Sequence, residues 1–152
     1  MKKLITAVLC AAAGFAALPA AAQSLTTQQQ ATIKQLLSTY ADKAKADAAK
    51  NKTTAEPFSA DSGRQLFMKA RNWEGNEEPA CAGCHTEDPA KDGRHASSKK
   101  PIRPLAPAAN VDRFTDAAKV EKNFATHCRE IYSRDCSSQE KGHILTFLAG
   151  LK

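Results

Sequence analysis

Five of the seven prolines of this chain, Pro79, Pro89, Pro101, Pro104 and Pro107, fall between Asn72 and Pro107, a stretch with almost no hydrophobic periodicity of either helical or strand spacing. A chain of 152 residues has room for a single domain. A domain that small does not leave so long a loop unsupported, so the loop has to wrap around something. The aromatic content points the same way: one Trp, two Tyr and six Phe make a thin core unless a group other than protein helps to fill it.

Inside the loop stands Cys81-Ala82-Gly83-Cys84-His85. Two thiols separated by two residues reach the two vinyl groups along one edge of a porphyrin, and the residue that follows brings an imidazole to the iron, so attachment and ligation are solved together. A zinc site would want a second pair at ligand spacing, which Cys128 and Cys136 do not offer. A thioredoxin-type pair would want a βαβ setting, and nothing in the chain alternates like a strand. The motif therefore reads as one covalent haem c, held by Cys81 and Cys84 with His85 as proximal ligand. Folding and attachment should be coupled, because the porphyrin face takes the place of missing apolar side chains.

The first residues read as an export signal: Lys2 and Lys3, an apolar run from Leu4 to Leu18, Pro19, then Ala20-Ala21-Ala22 for a peptidase. The run is too short to span a bilayer, and no later stretch approaches 18 apolar residues, so the expectation is a periplasmic mature chain without a membrane span. Cys10, behind the bulky Leu9 and within the apolar run, does not fit a lipoprotein cysteine. Cleavage after Ala22 removes two lysines and takes the formal charge from +6 to +4. Apart from Lys99-Lys100 the basic residues are scattered. They read as solvated surface, a docking rim or propionate partners rather than a nucleic-acid interface.

Four helices are expected. Leu25 to Lys50 places Ile33, Leu36, Leu37, Tyr40 and Ala44 on one face, and a polar joint containing Pro57 follows. Asp61 or Ser62 can cap a second helix through Arg71, with Gly63, Leu66, Phe67 and Ala70 inward. Beyond the loop, Thr115 or Asp116 opens a helix that sets Val120, Phe124, His127 and Ile131 on one stripe among core residues. Ser137 and Glu140 form a capping box for a last helix with Ile144, Phe147, Leu148 and Leu151 inward. The division is a signal peptide over 1–22, an N-terminal helix and linker over 23–60, and an all-α haem domain over 61–152.

A second axial ligand is harder to read. The one methionine past the signal, Met68, lies upstream of the motif and reads as core packing. His95 lies in a polar run, and His143 at the edge of an apolar stripe. His127 sits on the stripe itself, where an imidazole without a partner is costly to bury and an iron atom would satisfy it. His127 is the favoured distal ligand, with His95, His143, a lysine or an open position as alternatives. Directly after it, Cys128 can pair with Cys136 in an oxidising compartment, closing a short loop worth roughly 2 to 3 kcal/mol and limiting how far His127 swings.

Gly63 and Phe67 in a helix ahead of the CxxCH resemble the amino-terminal helix of class I cytochromes c. The run Pro104-Leu105-Ala106-Pro107, Asp112-Arg113-Phe114-Thr115-Asp116, Val120-Glu121-Lys122, His127-Cys128, Asp135-Cys136 and Glu140-Lys141 resembles the family of cytochrome c″ and the sphaeroides haem protein, over about Asp61 to Leu151. That resemblance implies a class I cytochrome c fold with an extra N-terminal helix, His85 proximal, His127 distal, and Cys128 bonded to Cys136. It also points to the bis-histidine branch, since the sphaeroides protein has asparagine at the distal position.

In the bis-histidine branch the distal histidine detaches and takes up a proton on reduction; the asparagine branch binds oxygen or nitric oxide. The expected function is electron transfer rather than enzymatic turnover, with a redox partner protein such as another cytochrome. The competing reading is a haem protein that binds or reduces O2, NO or a similar small ligand. Arg103, Arg113, Lys99 and Trp73 are the candidates to meet the propionates.

Overall fold

The computed structural model describes residues 24–69, 71–73, 76–78 and 80–151, with 71–73 and 76–78 described at the level of backbone. The expected export signal, with Cys10, lies outside the described residues, and so does the side chain of Trp73. Among the described residues no helix is long and apolar enough to cross a membrane.

Among the described residues five helices carry the fold: α1 (Thr27–Lys50), α2 (Ala60–Met68), α3 (Cys81–His85), α4 (Ala117–Tyr132) and α5 (Ser138–Ala149). Each long helix begins where its cap chemistry dictates. Thr26 and Gln29 form a capping box for α1, Asp116 accepts the amides of Ala118 and Lys119 to open α4, and Ser137 with Glu140 forms the expected box on α5. The second helix starts earlier than its sequence suggests. Ser59, not Asp61 or Ser62, is the cap, and the helix ends at Met68 rather than Arg71. At Lys69 the backbone is extended, Ala70, expected inward, lies outside the described residues, and Arg71–Trp73 (β1) pairs antiparallel with Asn76–Glu78 (β2), hydrogen bonds that a helix through Arg71 would have excluded. A second two-residue ladder joins Gly93–Arg94 (β3) to Pro101–Ile102 (β4) within the proline-rich loop. Strands this short carry no alternation to read.

Helix α5 is the hub. Gly142, His143, Ile144, Leu145, Phe147 and Leu148 are all buried, so it is covered on most sides, as a central helix should be. It crosses α2 at Gly63, and Phe67 of α2 packs its ring 5.6 Å from that of Phe147. His143, expected at a boundary, is only 7% exposed: its Nδ1 accepts the Ser59 amide at 2.9 Å, tying α5 to the cap of α2. Helix α1 lies against α5 and α4 through Ile33, Leu36 and Tyr40, which belong to the same core as Phe67 and Leu145.

The N-terminal helix also controls the loop. Gln29 is fully buried, and its Nε2 lies 3.0 Å from the carbonyl of Pro107, 3.1 Å from that of Asn110 and 3.0 Å from that of Arg113, while its Oε1 accepts the Thr26 amide. The two N–H groups of one side chain thus brace three carbonyls of this turn; those of Pro107 and Asn110 also accept the amides of Asn110 and Arg113. Gln29→Ala should lower stability by about 1 to 3 kcal/mol, since the Arg113 carbonyl loses its side-chain donor and the Pro107 and Asn110 carbonyls keep only their turn amides. Its exposed neighbour supplies the comparison: Gln28→Ala should cost about 0.5 kcal/mol or less. Thermal melts of the two variants check this, and equal melting shifts would contradict it.

Candidate haem-binding site

Helix α3 is a single turn, and its five residues are the motif Cys81–His85. Two neighbours hold it. The β3–β4 hairpin presses backbone to backbone, so that a Cβ at Gly93 would lie 2.1 Å from the Cys84 carbonyl, and the amide of Ala96 donates to Cys84 Sγ at 3.3 Å. On the other side the Phe67 ring stands 6.4 Å from the His85 ring. The proline-rich loop folds back on itself here: the amides of Leu105 and Ala106 both reach the Pro89 carbonyl, at 2.8 and 2.9 Å.

These elements and α4 enclose a cavity of about 410 Å³, within the range of roughly 300–1,000 Å³ typical of cofactor clefts. Cys81, Cys84 and His85 line it, and so does the α4 stripe of Val120, Phe124, His127 and Ile131. The stripe is as expected; the burial of its histidine is not. The His127 side chain is 54% exposed, because α4 turns that position to the open side of the cavity, and its Nδ1 meets Glu130 Oε2 at 2.8 Å.

The two imidazoles nonetheless face each other, with ring centroids 6.2 Å apart and planes at 80°. Burial, then the positive potentials of His127 and Arg113, push the His85 pKa down to about 4, leaving it the neutral ring a metal needs. Burial likewise pushes the Cys81 thiol up to about 11, so it stays protonated at neutral pH.

Arg113 and Arg103 both line the cavity. The Arg113 guanidinium is half-buried and donates to the carbonyls of Pro104 and Arg103, each at 2.9 Å; burial and the nearby Arg103 lower its pKa, the mark of a cation short of negative charge. Arg103 is paired with Asp112 at 2.6 Å. Lys99 turns its ammonium to the Ala96 carbonyl and is not among the described residues lining the cavity, and neither is His143. His95 reaches the lining, but its Nδ1 accepts the Ser98 amide in its own loop. Met68 packs against the core cluster, as expected of it. Cys128 and Cys136 are joined, with Cα atoms 5.5 Å apart, fastening the end of α4 to the start of α5.

The residues fit a haem. Two thiols sit on one helical turn, an arginine waits at the lining, and the rings of His85 and His127, with centroids 6.2 Å apart, would leave room for a metal between them. Sequence reasoning missed Gln29 and Glu130. The Thr26-to-Gln29 capping spacing was a signal for the first, but nothing local announces its bonds across the fold.

A family profile described as a domain of unknown function, DUF1924, matches residues 53–148. Cytochrome c″ of Methylophilus methylotrophus is 41% identical over 93 residues, covering 61% of this chain and 65% of the relative. The cytochrome c-type protein SHP of Cereibacter sphaeroides is 40% identical over 93 residues, covering 61% and 71%. The crystal structure of oxidised cytochrome c″ matches with a TM-score of 0.68 at 34% identity, covering 80% of this chain and 96% of that one. Oxidised SHP, described as an oxygen-binding cytochrome c, matches with a TM-score of 0.60 at 35% identity, covering 77% and 95%. The solution structure of cytochrome c″, whose description speaks of haem-ligand detachment, gives a TM-score of 0.66 at 34% identity, covering 79% and 94%.

An all-α fold wrapped around such a cavity, with these likenesses, defines a haem protein of the c-type cytochrome class. Within that class, the chain belongs to the family of cytochrome c″ and SHP.

Proposed function

We propose that the protein is a periplasmic monohaem cytochrome that carries electrons, with its haem bonded to Cys81 and Cys84, ligated by His85 and His127, and with His127 leaving the iron and binding a proton on reduction. The observation that carries this reading is the pair of facing imidazoles 6.2 Å apart across the cavity. Haem c supplies one-electron chemistry, and its ferric form, with one more positive charge, holds a neutral imidazole more strongly than the ferrous form. His85 stays put: it is on the single turn between the thiols and Phe67. His127 has room to move, being half-exposed on α4, and once off the iron its Nε2 lone pair would be free to bind a proton. Arg113 is the better placed propionate partner, with Arg103 already engaged by Asp112.

Electron and proton uptake are then linked. The sign follows: a proton taken up with the electron makes reduction harder as pH rises. The midpoint potential should fall between about pH 5 and 8, by at most about 59 mV per unit for one proton per electron. A flat line over that window would remove the coupling.

The half-exposed His127 also favours a second reading, in which the open ferrous state binds O2, NO or CO and the protein works as a gas-binding or small-ligand reductase. SHP is described as oxygen-binding, which supports it. Rapid CO uptake by the reduced protein together with reductase turnover would select that reading; six-coordinate spectra in both oxidation states would exclude it.

A further inference from the structure

We propose that Glu130 is the positioning residue for His127, holding its Nδ1 proton so that Nε2 faces the iron and strengthening the ring as a ligand. The inference rests on the reading of His127 as the distal ligand. His127 and Glu130 are three residues apart on α4, and Nδ1 lies 2.8 Å from Oε2. A carboxylate only accepts, so the proton of the neutral ring sits on Nδ1, and the lone pair is left on Nε2. The His127 ring that bears it stands 6.2 Å from the ring of His85.

Glu130 is kept available by its neighbours. The nearby guanidiniums take other acids: Arg129 bonds Asp135 at 2.7 Å, and Arg134 clasps both oxygens of Glu140, at 2.6 and 2.8 Å. Arg129, Arg134 and Asp135 all lie in the short loop closed by Cys128 and Cys136, which brings those partners within reach. Among the described residues, the contact of the Glu130 carboxylate is His127.

As an exposed pair this contact contributes little to stability. Its effect is on the ligand. A metal-bound imidazole that donates its other N–H to a carboxylate is oriented and made more basic, and removing such a partner typically changes affinity 10- to 100-fold. A more basic distal ring favours ferric iron.

The test compares haem-loaded parent protein with Glu130→Gln, Glu130→Ala, Glu130→Asp and His127→Ala, by midpoint potential at fixed pH, electron paramagnetic resonance of the ferric form and the ferrous five- to six-coordinate ratio. Glu130→Gln and Glu130→Ala should raise the potential, alter the ferric signal and increase the five-coordinate ferrous ratio by about 10-fold. Glu130→Asp should recover part of each, and melting temperatures should scarcely move. Parent values of potential and ferric signal in both Glu130→Gln and Glu130→Ala, alongside a His127→Ala protein that turns high-spin, would overturn the role of Glu130 alone. A His127→Ala protein that keeps the parent's low-spin signal would instead overturn the ligand assignment.

Discussion

On the reading of His127 as the distal ligand, replacing it by alanine should convert the ferric protein from low-spin to high-spin. The expectation follows from the lining of the cavity. His85 approaches from the turn that bears the thiols, and the facing ring 6.2 Å away is His127. Other nitrogen donors are less able to take its place. His143 is buried between α5 and the cap of α2 and gives its Nδ1 to the Ser59 amide. His95 lines the cavity but is turned into its own loop by the Ser98 amide. If His127 holds the iron as proposed, the effect should be close to all-or-none, because a ligand removed leaves no partial bond, and the α4 backbone is held by its Asp116 cap and the Cys128–Cys136 bond in either case. Absorption and magnetic resonance of the ferric protein measure it. Retention of the low-spin state would overturn the assignment of His127 as a ligand.

Gly63→Ala should be the most damaging change outside the cavity. A methyl group on Gly63 would lie 2.0 Å from the carbonyl oxygen of His143, 2.6 Å from its carbonyl carbon and 2.8 Å from Phe147 Cβ. In an unobstructed helix the same change gains about 1 kcal/mol, because glycine is a poor helix former. Here the obstacle is the backbone of α5, which cannot rotate away like a side chain. Overpacking of about 3 kcal/mol or more therefore exceeds that gain. The net loss of about 2 kcal/mol or more should lower the melting temperature by roughly 5 to 10 °C.

The consequence reaches the site, since α2 carries Phe67, whose ring stands against both His85 and Phe147. Separating α2 from α5 loosens the support behind the His85 ring. Thermal unfolding followed by circular dichroism is the check; a melting temperature equal to or above that of the parent would refute the close crossing.

The sequence by itself determined what is short-range. The Cys81–His85 spacing names its chemistry through bond lengths. The Ser137–Glu140 box places the start of α5, and the 3.6-residue period puts Val120, Phe124, His127 and Ile131 on one side of α4, where they line the cavity together. Only the tertiary structure decided what each face meets. It buried His143 at the α2 cap, left His127 half-exposed beside Glu130, folded strand pairs too short to alternate, and set Gln29 against three carbonyls that follow it by 78 to 84 residues. Caps and stripes are settled by neighbours within a turn or two. Burial and hydrogen-bond partners depend on which distant segment arrives to cover a group, and no local pattern encodes that arrival.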